Sequence, residues 1–420
     1  MSAHPELPST PTTTPEKLSA YHWKLLVFLS VATFFEGYDF MALTQILPRI
    51  SNEFSLEKTQ VGLMLGAINA GTVFAFLLVR RADRWGRKRV LTITIVGYTF
   101  FTFLTGLVND VYSFTAVQFL ARMFLIAEWA TATVYAAEEF PASRRATIIG
   151  VIQAFSSFGA IACAGVVPLL LKSDLSWRMV YFVGVIPLIV LAVGRRSLKE
   201  TQRFVEAKAQ GVLGARTSLF AIFKSGHGKR VLLIALAWGL TYMGTQNAVQ
   251  FWKAFVVEER GFTDAGVGAA VTMAAVGAMP LVFFAGKLLD VLGRRIGATI
   301  IFCITAASIV GAYSFHNHTL LTVSLGFAIF GVSAVLPVLN NYTAELFPIE
   351  LRSDAFVWGN NLLGRIGYVL GPIMVGVIAG STGYGFAVSI TAIFPLFALA
   401  VIWLAFPETK GKELEETAAV

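Results

Sequence analysis

Long apolar stretches recur along the whole chain, separated by short polar connections. They run near 24–47, 60–79, 90–108, 112–135, 146–171 and 178–194, and again near 231–256, 265–288, 297–315, 319–341, 355–380 and 384–406. Crossing roughly 30 Å of hydrocarbon takes about 20 apolar residues in an α-helix, which satisfies its own backbone hydrogen bonds in lipid. The pattern predicts an all-α membrane protein with twelve transmembrane helices, six on each side of the polar stretch 195–230. The competing reading, buried helices of a soluble protein, does not fit so many long runs. The expected divisions are a polar tail 1–23, an N-terminal six-helix bundle 24–194, a basic linker 195–230, a C-terminal six-helix bundle 231–406 and a second tail 407–420.

Composition agrees. The 420 residues are 56% hydrophobic and 14% charged, against about a quarter charged in soluble domains. Cys163 and Cys303 both lie inside apolar runs, which excludes a disulfide scaffold or thiolate metal site. The five histidines fall in tails and loops, so neither a metal nor a cofactor is expected. The polar, Pro- and Thr-rich start lacks a basic segment followed by an apolar core, so the first apolar stretch reads as an uncleaved span.

The net charge of +8 is explained by its placement, not by nucleic acid. Arg80, Arg81, Arg84, Arg87, Lys88 and Arg89 fill the connection between spans 2 and 3, the central linker is basic, and Arg294 and Arg295 follow span 8. Alternate connections carry few basic residues, mainly Arg49, Lys58, Lys172, Arg178 and Arg260. By the positive-inside rule both termini and the central linker are cytoplasmic.

The halves echo each other. Asp83-Arg84-Trp85-Gly86-Arg87-Lys88 after span 2 is matched by Asp290-Val291-Leu292-Gly293-Arg294-Arg295 after span 8. Glu138-Glu139-Phe140-Pro141 with Arg144-Arg145 after span 4 is matched by Glu345-Leu346-Phe347-Pro348 with Arg352 after span 10. Repeats in the same order at the same positions indicate a duplicated six-helix unit. These loops resemble the signatures of the major facilitator superfamily. That resemblance implies two pseudo-symmetric bundles around a central path, and makes Asp83, Arg87, Asp290 and Arg294 candidates for a cytoplasmic gate. Topology anchoring alone is the other reading. Val79 departs from the glycine expected in the first copy, whereas Gly286 keeps it in the second.

Four further segments narrow the resemblance to the metabolite:proton, sialic-acid and aromatic-acid symporters and the sugar-porter clan. Glu36-Gly37-Tyr38-Asp39 is similar to the [D/E]-G-[YF]-D of proton-coupled organic-acid symporters. Arg122 to Trp129 is similar to helix 4 of the metabolite and sialic-acid carriers, with Ala127 in place of a glycine. Phe406-Pro407-Glu408-Thr409-Lys410-Gly411 and Lys199-Glu200-Thr201-Gln202-Arg203-Phe204 are similar to the tail and mid-chain motifs of sugar porters.

Charges at mid-helix cost about 2.5–3.5 kcal/mol each on insertion scales, so those retained need a reason. Asp39, Arg122, Glu128 and Glu36 are the candidates for proton coupling, with Asp39 and Arg122 expected to face each other. A structural buried ion pair is the alternative for each. Arg365 is the candidate for gripping a substrate carboxylate, since a guanidinium binds one bidentately. Gln246, Asn247, Gln250, Trp252, Tyr38, Asn341 and Asn361 are further candidate cavity residues, although polar groups also serve as interhelical glue.

The reading that follows is a secondary active transporter, a proton-coupled symporter of a small organic anion by alternating access. The alternatives are a proton-driven exporter or organic-cation transporter, and a non-transporting membrane sensor on the same fold. Nothing resembles an enzyme: there is no phosphate-binding loop, no H-E-x-x-H and no nucleophile elbow. The expected partners are the small-molecule substrate, protons and the lipid bilayer. The expected setting is a monomer in a bacterial inner membrane.

Overall fold

The computed structural model describes residues 18–172, 176–210 and 220–410. The first half holds α1 (Ala20–Glu53), α2 (Lys58–Trp85), α3 (Arg87–Thr105), α4 (Val111–Glu139), α5 (Ala142–Lys172) and α6 (Met179–Gly194). Two short helices, α7 (Gln202–Ala209) and α8 (Ala221–Lys224), lie in the central connection. The second half holds α9 (Gly228–Gln250), α10 (Trp252–Arg260), α11 (Asp264–Leu292), α12 (Arg294–Ser314), α13 (His318–Glu345), α14 (Ile349–Phe356), a π-helical segment (Val357–Gly364), α15 (Arg365–Ser389) and α16 (Ile393–Ala405).

Each of the twelve apolar stretches falls on this helical series. Among the described residues, eight helices are long and apolar enough to cross a membrane by length and composition. One of them, Leu351–Ala405, is a continuous run of 55 residues. It is interrupted at Gly383 (φ 84, ψ 165), a conformation that glycine alone adopts readily. Helix α6, with 16 residues, is shorter than a perpendicular crossing needs.

Close backbone approach sets the packing within each half. Helix α1 lies so near α5 that a Cβ on Gly37 would stand 1.9 Å from Ser156 O, and one on Gly159 1.8 Å from Phe34 O. Small residues permit such contact, which replaces the hydrophobic drive that is missing between helices in lipid. Not every membrane glycine serves this purpose. A Cβ on Gly165, Gly277 or Gly286 would meet nothing within 4 Å.

The halves meet mainly at the end away from the chain termini. There α2 touches α15: a Cβ on Gly62 would lie 2.5 Å from Pro372 O, and one on Gly376 2.6 Å from Gly62 Cα. Helix α11 likewise meets α5, with Gly268 against Ala164 O. One apolar core at this end joins both halves, running from Met41, Ile46 and Leu65 to Phe255, Val271 and Val375. Toward the termini the cores separate. One gathers Trp238, Leu289, Val338 and Phe347 of the second half, and two smaller ones belong to the first.

Candidate functional site

The charged groups predicted at mid-membrane gather where the halves face each other. Arg122 of α4 is 3% exposed, and its guanidinium carbon sits 5.4 Å from the centre of the Phe40 ring. Arg365, 9% exposed, opens α15 directly after the π-helical segment. Its guanidinium carbon is 5.6 Å from the Tyr242 ring and 5.5 Å from that of Tyr368. Such stacking holds a guanidinium flat and leaves its edge free for a planar acceptor. The Nε atoms of both arginines are buried without a hydrogen-bond partner.

Glu36 feels both. Its charged neighbours are Arg122 and Arg365, one from each half, together with the carboxylates of Glu128 and Asp39, and its Oε2 is buried without a hydrogen bond. Asp39, 4% exposed, has Arg122 as its charged neighbour, without closing to an ion pair. Tyr98 lies beside Asp39 and donates to Phe35 O at 3.3 Å. The central site therefore contains two guanidinium groups and two carboxylates in a buried seam.

Glu128 is held elsewhere. Arg195 grips both its carboxylate oxygens, one at 2.9 Å, and Thr94 Oγ donates to it at 2.8 Å. The side chains are 5% and 1% exposed. Arg195 reads in the sequence as part of the solvated basic linker, yet it is fully buried.

The amides and aromatics divide. Tyr242 donates to Asn360 Oδ1 at 2.8 Å, and Asn341 and Asn361 are half-buried. Tyr38 donates to Val180 O of α6, inside its own half. Asn247 donates to Met243 O one turn earlier. Gln246, Gln250 and Trp252 are buried, and Trp252 Nε1 has no partner. Asn69, absent from the sequence-level candidates, crosses the seam by donating to Tyr368 O at 3.2 Å.

The doubled loop motifs form two matching clasps, each within its own half. Arg87 meets Glu138 at 2.9 Å and donates to Ala82 O. Arg294 meets Glu345 at 2.9 Å and donates to Leu289 O. Glu200 receives the backbone N–H groups of Arg87 and Lys88, as Glu408 receives those of Arg294 and Arg295. Thr201 then donates to Glu138, as Thr409 does to Glu345. Gly86 (φ 96) and Gly293 (φ 92) turn the chain there in a conformation that favours glycine, and a Cβ on either would push against the neighbouring carboxylate. Asp290 meets Arg294 at 3.0 Å but is 74% exposed. The side chain of Asp83, the remaining gate candidate, lies outside the described residues.

At the opposite end, ion pairs cross the seam. Arg49 of α1 meets Asp264 of α11 at 3.0 Å, and Lys58 of α2 meets Glu258 of α10 at 3.5 Å. Lys253 holds the other oxygen of Asp264 at 2.6 Å. A separate lateral groove of about 760 Å³ opens between α11 and α13. Its lining includes no Asp, Glu, Lys or Arg, nor any residue of the central site, so its size does not make it the path.

Two helical halves that share a core at one end, with buried charge between them, define a membrane transport protein rather than an enzyme. The chain belongs to the Major Facilitator Superfamily, whose family model matches residues 29–263 and 234–419. It is similar to a putative metabolite transport protein of Haemophilus influenzae, 27% identical over 95% of this chain and 99% of that one. It is also similar to the cis,cis-muconate transport protein of Acinetobacter baylyi, 26% identical over 90% and 93% of the two chains. Among solved structures, the inward open conformation of the xylose transporter XylE from E. coli has a TM-score of 0.73 at 17% identity, covering 94% of this chain and 99% of that one. The chain is thus a major facilitator transporter related to organic-acid carriers.

Proposed function

We propose that the protein is a proton-coupled symporter of a small organic anion, working by alternating access between its two halves. The observation that carries this reading is the pair of buried arginines, Arg122 and Arg365, on opposite sides of the seam with Glu36 neighbouring both. Glu128 and Arg195 cancel each other, so the central charges are those of Arg122, Arg365, Glu36 and Asp39. They sum to zero. A monoanionic substrate entering alone would leave a net charge in a desolvated site, which is costly. One proton on Glu36 or Asp39 restores neutrality for a monoanion, and one on each does so for a dianion such as cis,cis-muconate; either leaves a guanidinium to grip a substrate carboxylate bidentately. Coupling then follows from the cost of burying charge.

With the basic connections and both termini on the cytoplasmic side, the sealed end is the outer one and this state faces inward. Residues 24–194 and 231–406 are the two moving bodies, joined by the linker 195–230. The setting is a bacterial inner membrane, with the protein working as a monomer in lipid.

The test is uptake of cis,cis-muconate into proteoliposomes under an inward proton gradient, with its uncharged dimethyl ester as control. Gradient-driven accumulation of the acid alone is expected. Asp39→Asn and Glu36→Gln should lose or weaken that accumulation while retaining counterflow. Arg365→Lys should raise the half-saturating concentration about tenfold, the loss of one charge-assisted hydrogen bond. Uptake that ignores the gradient, or that persists unchanged in both carboxylate variants, refutes the coupling.

A further inference from the structure

Between the central site and the outer seal lies a small enclosed cavity that neither of them uses. It is lined by Met41, Thr44 and Gln45 of α1, by Trp252 and Lys253 of α10, and by apolar residues of α11 and α13. On α1 the order is Glu36, then Gln45, then Arg49. At 1.5 Å per residue, Gln45 stands about 13 Å beyond Glu36. The cavity therefore sits on the seam, one step outward from the two arginines.

Its wall carries buried polar atoms with unused hydrogen-bonding capacity. Trp252 is 1% exposed and Gln45 is fully buried, yet the donor Trp252 Nε1 and the acceptor Gln45 Oε1 have no partner. The Gln45 amide nitrogen has only Met41 sulfur, at 3.8 Å. Lys253 is 1% exposed and carries three N–H donors. A buried lysine needs a carboxylate, and here it has Asp264 at 2.6 Å. Arg49 of the opposite half shares that same carboxylate at 3.0 Å. In the closed state the buried Lys253 and the half-exposed Arg49 thus share one carboxylate.

Resting on the anion-symport reading above, we propose that this cavity is the collapsed form of an outer binding station for the substrate's carboxylate. When the halves part at this end, α1 carries Arg49 away from Asp264, because the two belong to different halves. The opening exposes the spare N–H donors of Lys253, the indole N–H of Trp252 and the amide of Gln45. A substrate carboxylate accepts from the Lys253 N–H groups that Asp264 does not use and from the indole N–H, and Gln45 Oε1 accepts from a hydroxyl or N–H on the same molecule. When the end closes, Arg49 returns to Asp264 and the space shrinks to about 10 Å³, room for one water at most. The substrate must leave inward, toward Arg365, before the seal forms.

The test is sided transport in oriented vesicles, with cis,cis-muconate as probe presented to one face at a time. Lys253→Gln should raise the half-saturating concentration at the outer face about tenfold or more, the scale of a lost charge-assisted hydrogen bond, and leave the inner face within about twofold. Trp252→Phe keeps the ring and removes one N–H, so an outer-face rise of about three- to tenfold is expected from it. It carries the test if the lysine variant does not fold. A purely structural ion pair would change stability without distinguishing the faces. Unchanged outer-face values in Trp252→Phe, or equal shifts at both faces in either variant, overturn the station and leave the symport reading standing. Wild-type protein that binds muconate at neither face overturns both.

Discussion

Replacing Glu128 by glutamine separates a structural carboxylate from a proton-carrying one. Glu128 and Arg195 lie 67 positions apart in sequence and grip each other in the core of the first half, with side chains 5% and 1% exposed. In Glu128→Gln, Arg195 keeps its charge and Leu91 O at 3.1 Å, and loses its counter-ion. An uncompensated buried charge costs about 3–5 kcal/mol. At about 2–4 °C per kcal/mol, the scale for a domain of roughly two hundred residues, the thermal midpoint falls by about 10 °C. Unfolding of a membrane protein is seldom reversible, so the midpoint is read at a fixed scan rate in detergent. The double variant Glu128→Leu with Arg195→Met removes both charges and should recover most of the loss. Thr94 then still has Val90 O at 2.9 Å, so no hydroxyl is stranded. The double variant should also retain gradient-driven uptake. A Glu128→Gln protein with an unchanged midpoint and no proton-driven accumulation would refute this reasoning and make Glu128 a coupling residue.

Gly367→Ala would put a methyl group 2.0 Å from Gly239 O at the α9–α15 contact, so the helices must part, and a cost of about 1–3 kcal/mol should lower the thermal midpoint. Gly277→Ala, facing open space, should leave the midpoint unchanged or raise it slightly. Burial alone would raise the pKa of Glu408, but the backbone N–H groups of Arg295, Arg294, Lys410 and Thr409 outweigh it and hold the carboxyl below its ordinary value of 4.5. A depressed pKa gives stability that is present above the unfolded value and is lost as pH falls through the folded one. Hydrogen exchange at the start of α12, corrected for intrinsic rate, should therefore lose protection only in acid. Glu408→Gln should show weakened protection already at neutral pH.

The helices were legible because lipid demands long apolar runs, and the halves because the loop motifs recur. The motif glycines were legible too, although their reason needed coordinates: Gly86 and Gly293 take positive φ against a carboxylate. Pairings over long sequence distances were not legible. Arg195 follows Gly194 at the edge of a basic stretch, and nothing local says that it turns inward to meet Glu128. Sequence set Asp39 opposite Arg122, yet it is Glu36 that has an arginine neighbour from each half. The outer ion pairs were invisible for a plainer reason. Arg49, Lys58, Lys253 and Asp264 are single charges scattered over short segments, brought together only by the meeting of the halves.

That meeting also decides what keeps the end away from the termini shut. Arg49 is 52% exposed and Lys58 is 31% exposed, and ion pairs so open to water contribute about 1 kcal/mol or less each. The shared apolar core and the backbone contacts of α2 with α15 and of α5 with α11 bury far more surface between the halves and hold far more of the free energy of this contact. The ion pairs therefore fix the register in which the halves meet more than the strength with which they hold. At the other end, Arg87 and Arg294 are each tied to a glutamate and to the tail motif of their own half, which stiffens each bundle as a body. In the proposed rocking Arg122 moves with one body and Arg365 with the other, so the distance between the two guanidinium groups changes with the state.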